Sequence, residues 1–460
     1  MSNENNKCVN AVRIYMDDII SPTNDWKIFN DIYKQLQSEL TKASTKAISI
    51  CNIYTSLLLN GGKEKADQWV SNTYNMNKLA SAMYHPVRSE CIDLLSGVTA
   101  SFSREIHSKY FSGKNSYLNA IKSGSGNPPM TYTDKLPIPL IKQGGKVERS
   151  KDKSARFYDL TFGLLSKEGV KNFSHQLCGD DTQSKVTGQL KFQTNTRDDN
   201  TYRVLENIVE GNYELCGSKL IRVKKKRKTS AEKSAGRIYD YILILSYSHP
   251  VQSHDLDPEK IMGIDVGMQI PAMCAVNYND KYRRSLGGRK ILEENMRQQR
   301  LNKIHQQSIT YNCRDGHGRK AKLDGWDGKG HKINNRNSTY NHMLSKQIVD
   351  QAIRWKCGTI HMEDLSGITG GKQNKFLKSW PYFDLQTKIE NKAKENGIAV
   401  KKIKPYGTSQ TCSVCGYRDK DNRPKGDMGQ AYFHCVKCGF ETNADFNAAR
   451  NIAMSSNYRR

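Results

Sequence analysis

No run of about 18 or more apolar residues occurs in this 460-residue chain, so nothing in it reads as a membrane-crossing helix. The opening MSNENNK has neither the charged nor the apolar stretch of a secretory signal, and a soluble cytosolic protein is expected. Acidic residues are in short supply: 46 Asp and Glu face 72 Lys and Arg, a formal net charge of +26. Such an excess repels itself in a compact state and attracts polyanions, nucleic acid first and an anionic membrane surface second. No internal repeat is found. Grouped cysteines are also few. Of twelve, eight are scattered (Cys8, Cys51, Cys91, Cys178, Cys216, Cys274, Cys313 and Cys357) and read as small buried apolar residues of a reducing compartment.

At this length several domains are expected, because single cores seldom grow past about 250–300 residues. Residues 10–18 alternate like one short strand. Residues 26–58 are helical, with Phe29, Ile32, Leu36 and Leu40 on one face. A second helical stretch carries Leu79, Met83, Val87, Cys91 and Leu95, broken or kinked by Pro86. A mostly helical module thus spans 19–126 and holds no catalytic constellation. The Gly-, Pro-, Ser- and Lys-rich stretch 122–154 is a junction. From 155 to 250 the period becomes two, in ARFYDLTFGLL, VTGQLKFQT and RIYDYILILSYS, which suggests a β-domain of barrel or OB type. Its basic run, Lys224 to Lys228, reads equally as a solvated loop or a phosphate-contacting one.

From 256 strands and helices alternate. Strands are expected at 261–267 and 270–276, then a polar helix near 291–309 and a loop-like stretch through Arg336. Residues 281–336 hold fifteen Lys or Arg and five Asp or Glu, a net of +10, and should follow a phosphate backbone. An amphipathic helix at 339–356 ends before Gly358, TIHMEDL forms the next strand, and a helix at 384–396 stops at Gly397 before IAVKKIK. Strands joined through helices to parallel neighbours make an α/β sheet of RNase H-like type.

Three acidic residues stand out within that sheet pattern. Asp265 lies in IMGIDVGMQIPAMCAV with Gly263 and Gly267 beside it, which would leave room for substrate backbone. Glu363 follows the run TIHM, with Asp364 its rival. Asp445 opens ADFNAARNIA, where a helix begins. Alone, an Asp before a helix is commonly an N-cap and a strand-end Glu commonly solvated. As an ordered set they suggest phosphodiester hydrolysis by two Mg²⁺ ions about 3.5–4 Å apart, a chemistry that needs a few convergent carboxylates. His317, His331 and His361 are read as structural or phosphate-contacting, since two-metal chemistry needs no histidine base. Between Glu363 and Asp445, Cys412-x2-Cys415-x19-Cys435-x2-Cys438 has the spacing of one structural zinc site. Gly416 and Gly439 follow the two knuckles. Lys420, Arg423, Lys425 and Lys437 make the lobe basic enough to grip a strand. A redox dithiol pair is the competing reading of the cysteines.

GIDVG, MEDLSG and KPYGTSQTCSVCG…CVKCGFETNADFNAARNIA together resemble the RuvC-type nuclease domain shared by transposon TnpB proteins and type V CRISPR effectors. His342, Ser345, Ile348, Val349 and Ala352, and the stretch SWPYFDLQTKIENKAKENGIAV, match the family's helices. Size and order, with DKLPIPLI and GHGRKAKL, are similar to the miniature type V-F CRISPR nucleases. A histidine/cysteine zinc finger, found in the N-terminal module of some miniature relatives, is not evident.

The resemblance implies a multidomain α+β fold: a helical recognition module inserted in a β-barrel wedge domain, then a RuvC α/β domain with an embedded zinc ribbon. It divides the chain into a wedge strand at 1–18 continuing at 127–255, a recognition module at 19–126, RuvC at 256–404, a zinc-ribbon target-binding module at 405–440, and RuvC again at 441–460. The family's acidic triad falls on Asp265, Glu363 and Asp445, which selects Glu363 over Asp364. Further implications are a guide RNA, double-stranded target DNA beside a short flanking motif, bystander cleavage of single-stranded DNA, and often an asymmetric dimer on one guide RNA in a prokaryotic cytoplasm. A transposon-encoded TnpB-type nuclease is the alternative. Non-cutting transcriptional blockade and unguided junction cleavage are weaker readings: the intact acidic set argues against the first, and the second leaves the N-terminal half without a role.

Overall fold

The structure, a computed structural model, describes residues 7–112, 116–124, 136–151, 156–174, 188–225, 229, 232, 236–267, 270–287, 289–312, 319–364, 382–404, 407–423 and 431–456. The chain divides into two compact units, Met1–His249 and Pro250–Arg460.

The first unit begins with β1 (Lys7–Tyr15) and β2 (Asp18–Ser21), where the sequence suggested one strand at 10–18. The chain changes sheets between them. The Met16 amide donates to Tyr241 O and the Asp17 amide to Gln193 O, each at 3.0 Å, so two consecutive residues serve two different ladders. Next comes α1 (Trp26–Tyr74), sixteen residues longer than expected and bent at Gly62, whose φ is +77°. Asp25 caps it, accepting from the Lys27 and Ile28 amides. Its buried stripe of Phe29, Ile32, Leu36, Leu40, Ala43 and Ala47 is fully enclosed, at about 1.5–3 kcal/mol for each large side chain.

The helix expected through Leu79, Met83, Val87, Cys91 and Leu95 is instead two short pieces, α2 (Leu79–Ala82) and α3 (Tyr84–Ser89). Pro86 is not the breaker. It sits in the first turn of α3, where its missing amide costs nothing. Beyond Ser89 the chain is held as a loop by Arg88, whose guanidinium donates to the carbonyls of Cys91 (2.8 Å), Leu94 (2.5 Å) and Ile92 (3.0 Å). The helices α4 (Ser96–Phe111) and α5 (Tyr117–Lys122) complete this part.

The β-rich part contains β3 (Ile138–Leu140), β4 (Lys146–Arg149), β5 (Phe157–Gly163), α6 (Lys167–Asn172), β6 (Gln189–Asn195), α7 (Asp199–Val209), β7 (Glu214–Leu215), β8 (Ser218–Lys224) and β9 (Tyr239–Pro250). The expected barrel does not close among the described residues. Two open sheets form, ordered β1-β9-β8-β3 with β7 on β9, and β2-β6-β5-β4. Closure requires the outer strands to pair, and β3 and β4 are only three and four residues long. In the basic run, Lys225 is paired with Glu232 and Asp240, whereas Lys224 ends β8 with its side chain exposed. Lys226, Arg227 and Lys228 lie outside the described residues.

A carboxyl pair joins three elements of this unit. Asp93, in the loop tied by Arg88, accepts from Asn172 of α6 (2.7 Å) and Gln35 of α1 (3.2 Å), and also bonds the Glu39 side chain of α1. Burial, then the Asp93 hydrogen bond and charge, push the Glu39 carboxyl up to about 8. A folded-state value above the unfolded one favours folding while the group keeps its proton, so this stability is present at low pH and lost as pH rises through about 8. Glu39→Gln mimics the protonated form. Its melting temperature should match the parent near pH 4–5 and exceed it by a few degrees at pH 9. Thermal melts across that range test it; equal loss at all pH values would refute the shared proton.

In the second unit β10 (Asp257–Asp265), β11 (Ala272–Val276) and β12 (Arg283–Leu286) form an antiparallel meander. The chain continues through α8 (Arg289–Asn312) and α9 (Arg319–Arg354) to β13 (Cys357–Glu363), then through α10 (Tyr382–Glu395) to β14 (Ala399–Ile403). Both β13 and β14 run parallel to β10, giving the sheet order β12-β11-β10-β13-β14. The lobe hairpin β15 (Tyr432–His434) and β16 (Glu441–Asn443) and the helix α11 (Ala444–Met454) follow.

Alternation sorts the sheet's two faces. Met262, Ile264, Ile360 and Met362 pack with Leu344, Ile348 and Ala352 of α9 and Leu385, Ile389 and Ala393 of α10. The opposite face, with Met273 and Ala275, receives Phe446 and Ala449 of α11.

Two expectations for this unit are overturned. The stretch expected as loop through Arg336 is the N-terminal half of α9, helical despite Gly325, Gly328 and Gly330. Those glycines lower propensity, but with no Pro between 319 and 354 the backbone hydrogen bonds continue. Nor does Gly358 end α9. Lys356 takes the left-handed conformation there (φ +54°), and Gly358 lies inside β13. A Cβ at Gly358 would come 2.8 Å from Asp257 O, so its smallness serves close approach to β10. Of the scattered cysteines, Cys8, Cys51, Cys91, Cys274 and Cys357 are buried as expected and Cys216 is half-buried; Cys178 and Cys313 lie outside the described residues.

Candidate active site

Asp265 is the last residue of β10, and Glu363 is the last residue of the parallel neighbour β13. The register pairs Gly263 with His361 and Ile264 with Met362, so it carries Asp265 and Glu363 to adjacent positions on the α11 face. Asp364 has the opposite parity, is buried, and donates its amide to Ile403 O at 2.9 Å. Alternation therefore separates the two rivals that sequence spacing left open.

Asp445 enters the same face from above, in the first turn of α11. It is not that helix's N-cap. Asn443 is, accepting from the Asp445 (3.0 Å) and Phe446 (3.1 Å) amides, which leaves the Asp445 carboxylate outside the capping interaction. The space at Gly263 belongs to α11, contrary to the expectation of substrate room. A Cβ there would lie 2.2 Å from Ala449 O and 2.4 Å from Ala453 N. Gly263 thus lets α11 sit low enough to bring Asp445 to the sheet.

Asp265 feels both of the other carboxylates. Burial, then the charges of Glu363 and Asp445, raise Asp265 to about 8, against an opposing pull from Arg423. Burial raises Glu363, opposed by the Thr408 hydroxyl, which donates to its Oε1. Burial raises Asp445 too, with Arg423 again opposing. Crowded, half-buried acids of this kind call for positive charge, which a divalent cation supplies. The buried Tyr382 ring sits near enough for Asp265 to raise its phenol, after burial, to about 12.

His361 is structural, as expected, with a 3.1 Å hydrogen bond between Nδ1 and Ile452 O. His317 and the side chain of His331 lie outside the described residues.

The four cysteines form two matching knuckles. Cys412 O accepts from the Gly416 amide and Cys435 O from the Gly439 amide, both at 2.9 Å, and both glycines have positive φ (72° and 70°). Cys412 Sγ lies 3.7 Å from Cys438 Sγ, and Cys415 Sγ lies 3.6 Å from Cys435 Sγ. A tetrahedral site with Zn–S bonds of about 2.3 Å has sulfur–sulfur edges of about 3.8 Å, so the observed spacing fits one zinc ion. Among the described residues this is the one ligand set whose donor atoms all lie within 4.8 Å of one another; the acidic trio is not packed that tightly. Buried Asn422 stitches the knuckles together, donating to Gln410 O (2.8 Å) and Tyr417 O (3.2 Å) and accepting from the Val436 amide (3.0 Å).

Sequence reasoning missed how the lobe grips the acidic site. Thr408 reaches Glu363. Asn447 and Asn451 of α11 donate to Thr411 O, and Asn447 accepts from the Ser413 amide at 2.9 Å. Asn447 and Asn451 are four apart, one turn of helix, and that spacing in ADFNAARNIA was the available signal. Arg423 was counted only among strand-gripping cations, yet its charge acts on Asp265 and Asp445. Of the others, Lys437 lies over the Tyr417 ring at 5.5 Å, and Lys425 lies outside the described residues.

Residues 382–452 match the family described as Cas12f1-like, TNB domain. The chain is 32% identical over 452 residues to the CRISPR-associated endodeoxyribonuclease Cas12f1 of Sulfoacidibacillus thermotolerans, covering 96% of this chain and 97% of that protein. A TnpB-like protein of Aquifex aeolicus is 32% identical over 128 residues, 26% of this chain and 41% of its own length. In architecture the chain is similar to the protein in a cryo-EM structure of a Cas12f1–sgRNA–target DNA complex, with a TM-score of 0.69, 19% identity, and 99% and 100% coverage.

Proposed function

The chain belongs to the Cas12f1 family, and from that premise we propose how its acidic site performs RNA-guided cleavage of DNA. It is a CRISPR RNA-guided DNA endonuclease. Guide RNA and target DNA are its partners: pairing reads the sequence, and the protein grips backbone and shape through its +26 charge. The observation that carries the catalytic assignment is the meeting of Asp265, Glu363 and Asp445 on one face of the β10–β13 sheet.

Those carboxylates would hold two Mg²⁺ ions. Such ions would supply activation of a water and stabilisation of the leaving oxygen of the scissile phosphate. The chain's own residues prepare the site. Adjacent strand ends fix Asp265 and Glu363, Asn443 fixes the first turn that carries Asp445, Thr408 orients Glu363, and Arg423 offsets the crowded negative charge. One site of this kind cuts the displaced strand and the target strand in turn, and bystander single-stranded DNA after activation. The four thiolates would hold one zinc with no open position, which makes it structural. We assign residues 1–18 with 127–255 to the wedge, 19–126 to the recognition module, 256–404 with 441–460 to the RuvC nuclease, and 405–440 to the zinc lobe. Two copies on one guide RNA complete the proposal.

The TnpB reading rests on a likeness to about a quarter of the chain, whereas the Cas12f1 likeness spans 96% of it. The test is a plasmid carrying a guide-matched target beside randomised flanking bases. Cleavage should require guide RNA and Mg²⁺ together and stop with EDTA, while guided binding persists. Cutting without guide RNA, or undiminished in EDTA, would overturn the proposal.

A further inference from the structure

A cavity of about 480 Å³ lies within the first unit, between β1 and β6, with Lys225, Glu232 and Arg237 also lining it. That volume is within the range of clefts that hold a nucleotide-sized ligand, roughly 300–1,000 Å³. Nothing in the nuclease chemistry uses it.

Its lining divides into a mouth and an interior. At the mouth, Arg13 and Tyr15 project from the same outward face of β1, alternating with buried Val12 and Ile14. Tyr15 is 56% exposed, and Arg13 has no hydrogen-bonding or ionic partner among the described residues. Arg197, 82% exposed, stands opposite and reaches Asp17 at 3.2 Å. Inside, Lys225 sits between Glu232 and Asp240, 3.2 Å from the latter. Arg237 donates from Nη2 to Met16 O at 2.6 Å, and its buried Nε has no hydrogen-bond partner.

Four basic side chains line the cavity and four acidic ones balance them, so it is not an anion hole. Stacked phosphates would meet as much repulsion as attraction. A nucleobase is different. It brings an aromatic face for Tyr15 and an edge of mixed donors and acceptors, and it leaves its phosphate at the mouth for Arg13 and Arg197. Guanine matches the interior best. Its O6 and N7 accept, which suits an interior lined by the cationic side chains of Arg237 and Lys225, and its N1–H and N2–H₂ donate side by side, which suits a carboxylate such as Asp240 or Glu232. We propose that this cavity is a binding site for one unstacked guanosine nucleotide of RNA. The RNA origin rests on the guide-RNA reading above; the base preference does not.

The test uses the full chain stripped of copurifying RNA by high salt, with guanosine, adenosine, cytidine and uridine monophosphates titrated calorimetrically. Guanosine monophosphate should bind saturably, about tenfold or more tighter than the other three and than inorganic phosphate. Arg13→Gln and Tyr15→Ala should each weaken it severalfold with an unchanged thermal melt, and guide RNA should displace it. No saturable binding up to millimolar concentration overturns the site, and so does equal binding of all four nucleotides or of phosphate. Binding that guide RNA fails to displace overturns the RNA origin. Because the wild-type titration decides the matter, a variant that misfolds leaves it falsifiable. DNA cleavage is not read, so failure here and failure of the nuclease assignment stay distinct.

Discussion

Asp265→Asn is expected to lower guided DNA cleavage by about 10³-fold or more, while guide and target binding stay within about twofold. Several kcal/mol of transition-state stabilisation pass through the ions this carboxylate would hold, and each 1.36 kcal/mol is about tenfold in rate. The substitution keeps shape and volume at the end of β10, so the sheet register with β11 and β13 should be untouched. Stability gives an independent reading. Burial and the charges of Glu363 and Asp445 raise the Asp265 carboxyl to about 8, so its ionisation costs folding free energy as pH climbs from about 4 toward 8. Asn removes that cost. The variant should therefore be inactive yet melt no lower than the parent at neutral pH. An inactive variant that melts well below the parent, or loses guide binding as well, would make Asp265 a structural residue. Cleavage near the parental rate would remove it from the site altogether.

Much of the second unit was legible because its apolar runs are long and its stops are explicit. TIHM before Glu363 and Gly397 after α10, with φ of +70°, mark boundaries whatever the context. The cysteine spacing was legible for the same reason, since four thiolates at that separation have few other uses. Other features were hidden because they depend on partners distant in sequence. The sheet change at Met16 and Asp17 exists only because Tyr241 and Gln193 stand where they do. Gly263 suggested room for substrate backbone and Gly358 a helix stop, and both instead admit neighbouring backbone, α11 in one case and β10 in the other. The helical character of 319–338 defeated composition, because glycine lowers propensity without forbidding a helix that has no proline in it. Arg423 was classed by its charge alone, and only folding aims that charge at Asp265 and Asp445.

Removing zinc is expected to abolish cleavage as completely as removing magnesium, by a different route. Among its described residues the lobe at 407–443 has few enclosed apolar side chains, principally Cys412, Phe433 and Cys435 packed with Ala444, so its order should derive mainly from metal–thiolate bonds. Such bonds contribute about 10–16 kcal/mol in small zinc modules. Two links then carry the loss to the acidic site. Thr408 holds Glu363, and the carbonyls of Thr408 and Thr411 are anchored by Asn447 and Asn451 on the helix that presents Asp445. Melting the lobe releases both carboxylates while Asp265 stays in its strand. The parent should contain about one zinc per chain by elemental analysis. Cys412→Ser should lose it, raise amide exchange across 407–456, and cut at least about a hundredfold more slowly, with the β10–β13–β14 core still protected. Zinc returned to chelated parent protein should restore both protection and cleavage, which separates loss of geometry from irreversible misfolding. Stoichiometric zinc retained in Cys412→Ser would contradict the ligand set, and full cleavage by a zinc-free protein would uncouple the lobe from the acidic triad.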